Sequence, residues 1–164
     1  MKNIVLIGMP GAGKSTLGVL LAKALGRPFV DTDLLIQKRE GKLLQSIIDQ
    51  KGIQYFLTIE EEVILELEIN NYVVATGGSV VYSQKAVNWL KKYGVVLYLS
   101  LPFEEIRKRV QNIKTRGVAM EKGQSLEALF MKRVPLYEQY ADITIDCVGL
   151  TMEQVVELMV TEFN

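Results

Sequence analysis

Four apolar residues in succession, Ile4 to Ile7, read as a short strand buried on both faces. Beyond a glycine-rich stretch, Leu17, Leu20, Leu21, Ala24 and Leu25 recur at helical spacing, and Gly26 ends the helix. The segment "RPFVDTD" gives a second short strand whose C-terminal end presents Asp31 and Asp33, and helical patterns follow to about Ile69. In the clearest of these, Phe56, Ile59, Val63 and Leu67 share one face, while Glu60, Glu61 and Glu62 lie mostly off it. "YVVATGGS" is a third strand, Tyr72 to Ala75, running into a second glycine turn. Ser83 to Tyr93 reads as a helix stopped by Gly94, and "VVLYL" as a fourth strand. Pro102 then opens a helix with Phe103, Ile106, Val110 and Ile113 on one face. The polar stretch "NIKTRGVAMEKGQS" has no core period, and its central part, about residues 113–124, is predicted to be a mobile lid. A helix from Ser125 to Tyr140, expected to bend at Pro135, precedes a last strand, "DITID", and a C-terminal helix capped by Thr151 and Gln154.

Short strands alternating with helices predict an α/β fold, a parallel sheet covered by helices on both faces. Ligands of such sheets sit at the carboxyl ends of the strands, where the glycine-rich stretch, the Asp31 and Asp33 pair, and Gly77 with Gly78 all fall. The chain has 164 residues, enough for one domain with a core and short for two. Nineteen basic residues balance 19 acidic ones, which gives no electrostatic reason to expect nucleic acid or an anionic membrane as partner. A small molecule is the expected partner and a monomer the expected state. The lone Cys147 excludes an intrachain disulfide and reads as a packed small hydrophobe. No apolar run approaches the roughly 20 residues of a membrane span, and the first apolar run leads straight into the glycine-rich stretch, so a cytoplasmic location is expected. With no histidine in the chain, acid–base chemistry falls to carboxylates.

The stretch "GMPGAGKST", Gly8 to Thr16, matches G-x-x-x-x-G-K-[ST] completely, between a predicted strand and a predicted helix. Backbone N–H groups at such a turn, with the positive end of the helix dipole, form a nest for polyphosphate. Gly11, Ala12, Gly13, Lys14, Ser15 and Thr16 are therefore the nucleotide-binding candidates. Lys14 is placed to reach the outer phosphates and the Ser15 hydroxyl to bind Mg2+, so ATP and Mg2+ are the expected cofactors. No later strand ends in an aspartate suited to the metal, which leaves Asp31 to hold it through water beside Ser15. Asp33 would face an acceptor hydroxyl, orienting it and taking its proton. The plainer alternative is that Asp31 or Asp33 only caps the following helix, and that the turn at Gly77 and Gly78 only reverses the chain.

With "GMPGAGKST", "DTD", "ATGGS", "TRG", "RVPLYEQYAD" and "DCVGLTMEQVVE" in close spacing over nearly the whole length, the chain resembles the shikimate kinase family of small P-loop kinases. The resemblance implies a five-stranded parallel sheet in the order 2-3-1-4-5, a substrate subdomain at about residues 33–60, and a lid. It also implies transfer of the ATP γ-phosphate to a ring hydroxyl of shikimate. Carried over, Lys14, Asp33 and Arg116 form the catalytic set, with Arg116 the lid arginine that closes on the phosphates. Ser15 and Asp31 serve the metal, and Arg109 lies near adenine. Asp33, Leu57, Gly77, Gly78, Ser79 and Arg133 are the positions that meet the substrate, Arg133 through the substrate's carboxylate. Two positions depart from the family pattern. The motif F-R-x-x-E reads "FLTIE", with Leu57 where the second carboxylate-binding arginine is expected, and Ser79 replaces the third glycine of a triple. The lid's "RGVA" differs as well. These leave two alternatives beside shikimate: a sister kinase for another small polyol or hydroxy acid, and a nucleotide-binding relative without catalysis.

Overall fold

In the computed structural model, which describes residues 1–111 and 117–164, a five-stranded parallel sheet carries helices on both faces. The strands are β1 (Asn3–Ile7), β2 (Phe29–Asp31), β3 (Val73–Ala75), β4 (Gly94–Ser100) and β5 (Ile143–Asp146). Their order is β2-β3-β1-β4-β5, as the resemblance implies. β1 lies in the middle, with Val5 opposite both Val74 of β3 and Val96 of β4, and all five of its residues are buried. A strand covered on both faces needs no polar alternation, which is why "NIVLI" is nearly all apolar.

The helices are α1 (Lys14–Leu25), α2 (Thr32–Glu40), α3 (Leu44–Lys51), α4 (Ile53–Leu65), α5 (Gln84–Tyr93), α6 (Phe103–Arg109), α7 (Leu126–Tyr140) and α8 (Met152–Phe163). The helical stretch after β2 divides into three because Gly41 and Gly52 both take positive φ and close the helices before them. Leu67, placed by its spacing on the apolar face of α4, falls beyond that helix but still packs on the main core. α6 ends at Arg109 with Val110 as its cap, and Ile113, expected on the same face, lies outside the described residues. Pro135 sits within α7, which runs unbroken from Leu126 to Tyr140. Thr151 and Gln154 form the expected capping box of α8.

The main core surrounds the sheet, and a second hydrophobic cluster, Ile36, Leu44, Ile47, Phe56, Ile59 and Val63, is shared by α2, α3 and α4. Ala119, from the segment that follows the undescribed residues, packs into this second cluster. Ala119 is thereby seated over the three helices on one side of the strand ends, while Val118 beside it packs with the main core.

Candidate active site

The loop from Gly8 leaves the centre of the sheet at the end of β1 and enters α1 through Gly13, whose φ of 93° is left-handed. Lys14 is buried, and its ammonium donates to the carbonyls of Gly8 (2.7 Å) and Met9 (2.9 Å), which draws the lysine over the mouth of the loop. Ser15 follows on the first turn of α1, and its hydroxyl donates to Asp31 Oδ2 at 2.6 Å. The other oxygen of Asp31 accepts from the backbone N–H of Asp33 at 2.9 Å and so caps α2. Capping and facing the loop are therefore not alternatives for Asp31, since one oxygen does each. A hydroxyl and a carboxylate side by side at a helix N-terminus are hard oxygen donors of the kind Mg2+ takes, so the residues present fit that ion.

Asp33 stands on the first turn of α2 with its Oδ1 buried and, among the described residues, without a hydrogen-bond partner. Burial and the nearby charge of Asp31 raise its carboxyl to about 6, against the pull of Lys14. One cleft of about 160 Å3 is lined by Gly11, Gly13, Lys14, Ser15 and Thr16 at one end. At the other it is lined by Asp33, Phe56, Gly77, Gly78, Ser79 and Arg133, with Gly117, Val118 and Ala119 alongside. Loop, acid and glycine turn, far apart in sequence, thus share one space.

The turn after β3 is crowded by charged side chains. A Cβ on Gly77 would lie 2.7 Å from Asp33 Oδ1 and 2.8 Å from Glu60 Oε2, and one on Gly78 would lie 2.7 Å from Arg133 Nη1. These glycines do more than turn the chain, because any side chain would displace the acid and the guanidinium. Arg133 is almost fully buried, with Nε donating to Tyr82 Oη (3.0 Å) and Nη2 to the carbonyl of Ala119 (2.8 Å). Tyr137 Oη donates to the carbonyl of Gly78 (2.6 Å), and burial pushes this phenol well above its ordinary value.

Arg109 is exposed and points Nη1 at the Gly11 carbonyl, 3.5 Å away. With Gly11, Ala12, Gly13, Cys147 and Leu150 it lines a separate hollow of about 310 Å3 on the far side of the loop. Cys147 is buried, which pushes its thiol up to about 11 and fits a packing role. Leu57 is half-buried against the second hydrophobic cluster and does not line the cleft, unlike its neighbour Phe56. Arg116 lies outside the described residues.

Glu60, Tyr82 and Tyr137 border this site, and none is an expected site residue, even though Glu60 ends the F-R-x-x-E frame and Tyr137 lies within "RVPLYEQYAD". Glu60 is 3% exposed, accepts a hydrogen bond from Ser79 Oγ at 2.8 Å, and leaves Oε2 without a partner among the described residues. Burial pushes its carboxyl up to about 8, with the Ser79 hydrogen bond acting the other way. Helical spacing puts Glu60 mostly off the apolar face of α4 with Glu61 and Glu62, yet it is buried with Phe56, Ile59 and Val63; its place at the end of the F-R-x-x-E frame was the available signal.

The family model "Shikimate kinase" matches residues 10–164. A curated shikimate kinase of Thermodesulfovibrio yellowstonii is 40% identical over 167 residues, covering 100% of this chain and 96% of the relative. One from Actinobacillus pleuropneumoniae serotype 5b is 41% identical over 163 residues, covering 98% and 92%. Among solved structures, shikimate kinase from Acinetobacter baumannii in complex with shikimate superposes with a TM-score of 0.91 at 33% identity, covering 99% of this chain and 92% of that one. With a phosphate loop, a metal-competent Ser15 and Asp31 pair and a buried arginine around one cleft, and with matches of this extent, the chain belongs to the shikimate kinase family of ATP- and Mg2+-dependent kinases.

Proposed function

We propose that the protein transfers the γ-phosphoryl group of ATP to a hydroxyl of shikimate. The observation that carries this reading is the single cleft joining the loop of Gly11 to Thr16 to Asp33 and Arg133. Donor and acceptor can meet there without crossing bulk water. The loop's backbone N–H groups and Lys14 hold the phosphates, and Lys14 stabilises charge on the migrating group as it passes between oxygens. Ser15 and Asp31 hold Mg2+, which when bound neutralises phosphate oxygens. Asp33 accepts the proton of the acceptor hydroxyl while that oxygen bonds to phosphorus and the bond to the ADP oxygen breaks. A carboxyl raised to about 6 suits that task better than an ordinary one. Arg133, with Nη1 beside Gly78, holds the substrate carboxylate, and the backbones of Gly77 and Gly78 approach the ring. Arg116 closes from the lid of about residues 113–124, Arg109 borders the base in the hollow beside Gly11, and α2 to α4 act as a substrate subdomain of about residues 33–60 within one domain.

A monomer is the proposed state, and the balanced charge supports a small-molecule partner rather than nucleic acid. Among the described residues no helix is long and apolar enough to cross a membrane, and the small-metabolite reaction fits a cytoplasmic setting. A coupled ADP-release assay over shikimate, quinate, gluconate and nucleoside monophosphates tests the reading. Turnover with shikimate far above the others is expected, and turnover confined to another acceptor overturns it.

A further inference from the structure

We propose that Tyr82 is a positioning residue for carboxylate recognition: its Oη accepts a hydrogen bond from Arg133 Nε and sets the angle at which that guanidinium meets the cleft. The inference rests on the kinase reading above, in which Arg133 receives the substrate carboxylate. Arg133 lines the cleft and Tyr82 does not, so the tyrosine acts only through the arginine. Arg133 is 1% exposed and, among the described residues, forms no salt bridge. Glu60, the buried acid that faces it, holds its proton to about 8 and supplies no anion below that. A buried cation is costly unless an anion meets it, so an arginine kept in this state points to an anionic ligand. The oxygens on its Nε and Nη2 are neutral, Tyr82 Oη at 3.0 Å and the Ala119 carbonyl at 2.8 Å. Neutral acceptors satisfy the N–H groups without cancelling the charge. They leave Nη1, 2.7 Å from the Cβ position of Gly78, at the cleft wall.

The route that brings Tyr82 here is short. After β3 the chain runs from the glycine turn into one tight helical turn, Val80–Tyr82, with Val80 and Val81 buried in the main core. The N–H of Tyr82 donates to the Ser79 carbonyl at 3.0 Å, and the hydroxyl of Ser83, next along, caps α5. The backbone of Tyr82 is thus anchored on both sides. Its ring is also met by two cations of α7, with Arg133 Cζ 5.2 Å and Lys132 Nζ 5.1 Å from the centroid. One stretch of chain therefore supplies both Gly78, against which Nη1 lies, and the oxygen that fixes Nε. The angle matters because a guanidinium is a planar fork whose N–H groups point in set directions. It matters most where one arginine reads the anion alone. Leu57, at the position where the family pattern has a second arginine, packs against the second hydrophobic cluster instead.

The test compares Tyr82→Phe with the parent on two acceptors at saturating MgATP: shikimate, and its carboxamide, which is neutral where shikimate is charged. Tyr82→Phe keeps the ring and removes only the oxygen on Arg133 Nε. The KM for shikimate should rise about tenfold while kcat stays within about twofold, because the carboxylate contributes mainly uniform binding. On the carboxamide kcat/KM should stay within about twofold, so the preference for the charged acceptor falls about tenfold. In an Arg133→Lys background, which has no Nε to hold, adding Tyr82→Phe should leave the KM for shikimate unchanged. An unchanged KM for shikimate in Tyr82→Phe, an equal loss on both acceptors, or the same rise in the Arg133→Lys background each overturns the proposal. Absence of turnover on shikimate in the parent instead overturns the kinase reading beneath it.

Discussion

Asp33 reaches the cleft because Asp31, two residues earlier, fixes the first turn of α2 by capping its backbone N–H. The two acids therefore fail differently when altered. Asp33→Asn should lower kcat by about two orders of magnitude or more while changing the affinity for ATP little, since its partner is the acceptor hydroxyl. Equal loss of both, read by single-turnover kinetics and nucleotide binding, would make it a metal ligand instead. Glu60 also leaves a mark on stability. Its carboxyl titrates near 8 in the folded chain against 4.5 ordinarily, so the fold holds this proton more tightly than the unfolded chain does. Stability from this group is therefore full below about pH 4.5 and is lost progressively as pH rises toward 8. Glu60→Gln removes that penalty. Its Tm relative to the parent should climb between those limits, by about 10 °C or more for about 4–5 kcal/mol. A Tm difference that is constant with pH would show that the buried acid is not titrating as described.

Among the elements, α3 is met at its first turn by Gly117, from the segment that follows the undescribed residues. Gly117 has a φ of 76°, and a Cβ there would sit 2.5 Å from the Cβ of Leu44, an atom fixed to the α3 backbone. Its N–H donates to the side chain of Gln45 at 3.2 Å. Gly117→Ala should therefore push residues 117–119 off α3, raising the KM for the acceptor several-fold and destabilising the protein by about 1–3 kcal/mol in a denaturant titration. Wild-type values would show that the segment shifts without consequence. This junction marks where reading by pattern stops. β1, the loop from Gly8 and α1 were legible because a strand, a glycine turn and a helix follow one another within about one supersecondary unit of chain. Asp31 was legible by its place at a strand end. The Ser79 to Glu60 bond, the Arg133 to Ala119 bond and the Tyr137 to Gly78 bond join different elements, and no periodicity records such pairings. Leu57 follows Phe56 into a helix whose faces belong to two environments, so its spacing could not say which of them it meets.

At the scale of the molecule, the cleft is walled on one side by the sheet and the phosphate loop, and on the other by the second hydrophobic cluster with residues 117–119. Arg133 links the walls, with Nη1 beside Gly78 and Nη2 on the Ala119 carbonyl. A substrate carboxylate on Arg133 would therefore be felt by residues 117–124. Hydrogen exchange in that segment should slow at least about tenfold with MgADP and shikimate together, and less with either alone. Equal protection by MgADP alone would place the coupling at the nucleotide. The central position of β1 also has a consequence for how the chain is made. Asn3 to Ile7 emerge first, yet their neighbours in the sheet are Val73 to Ala75 and Gly94 to Ser100. During synthesis this strand, apolar and edged on both sides, must wait for nearly half of the chain before its first partner exists and for more than half before the second. At about 5–20 residues per second that is a delay of seconds, far longer than collapse or helix formation takes. Refolding from denaturant, where all strands are present at once, should therefore aggregate less at a given concentration than nascent chains stalled before residue 94.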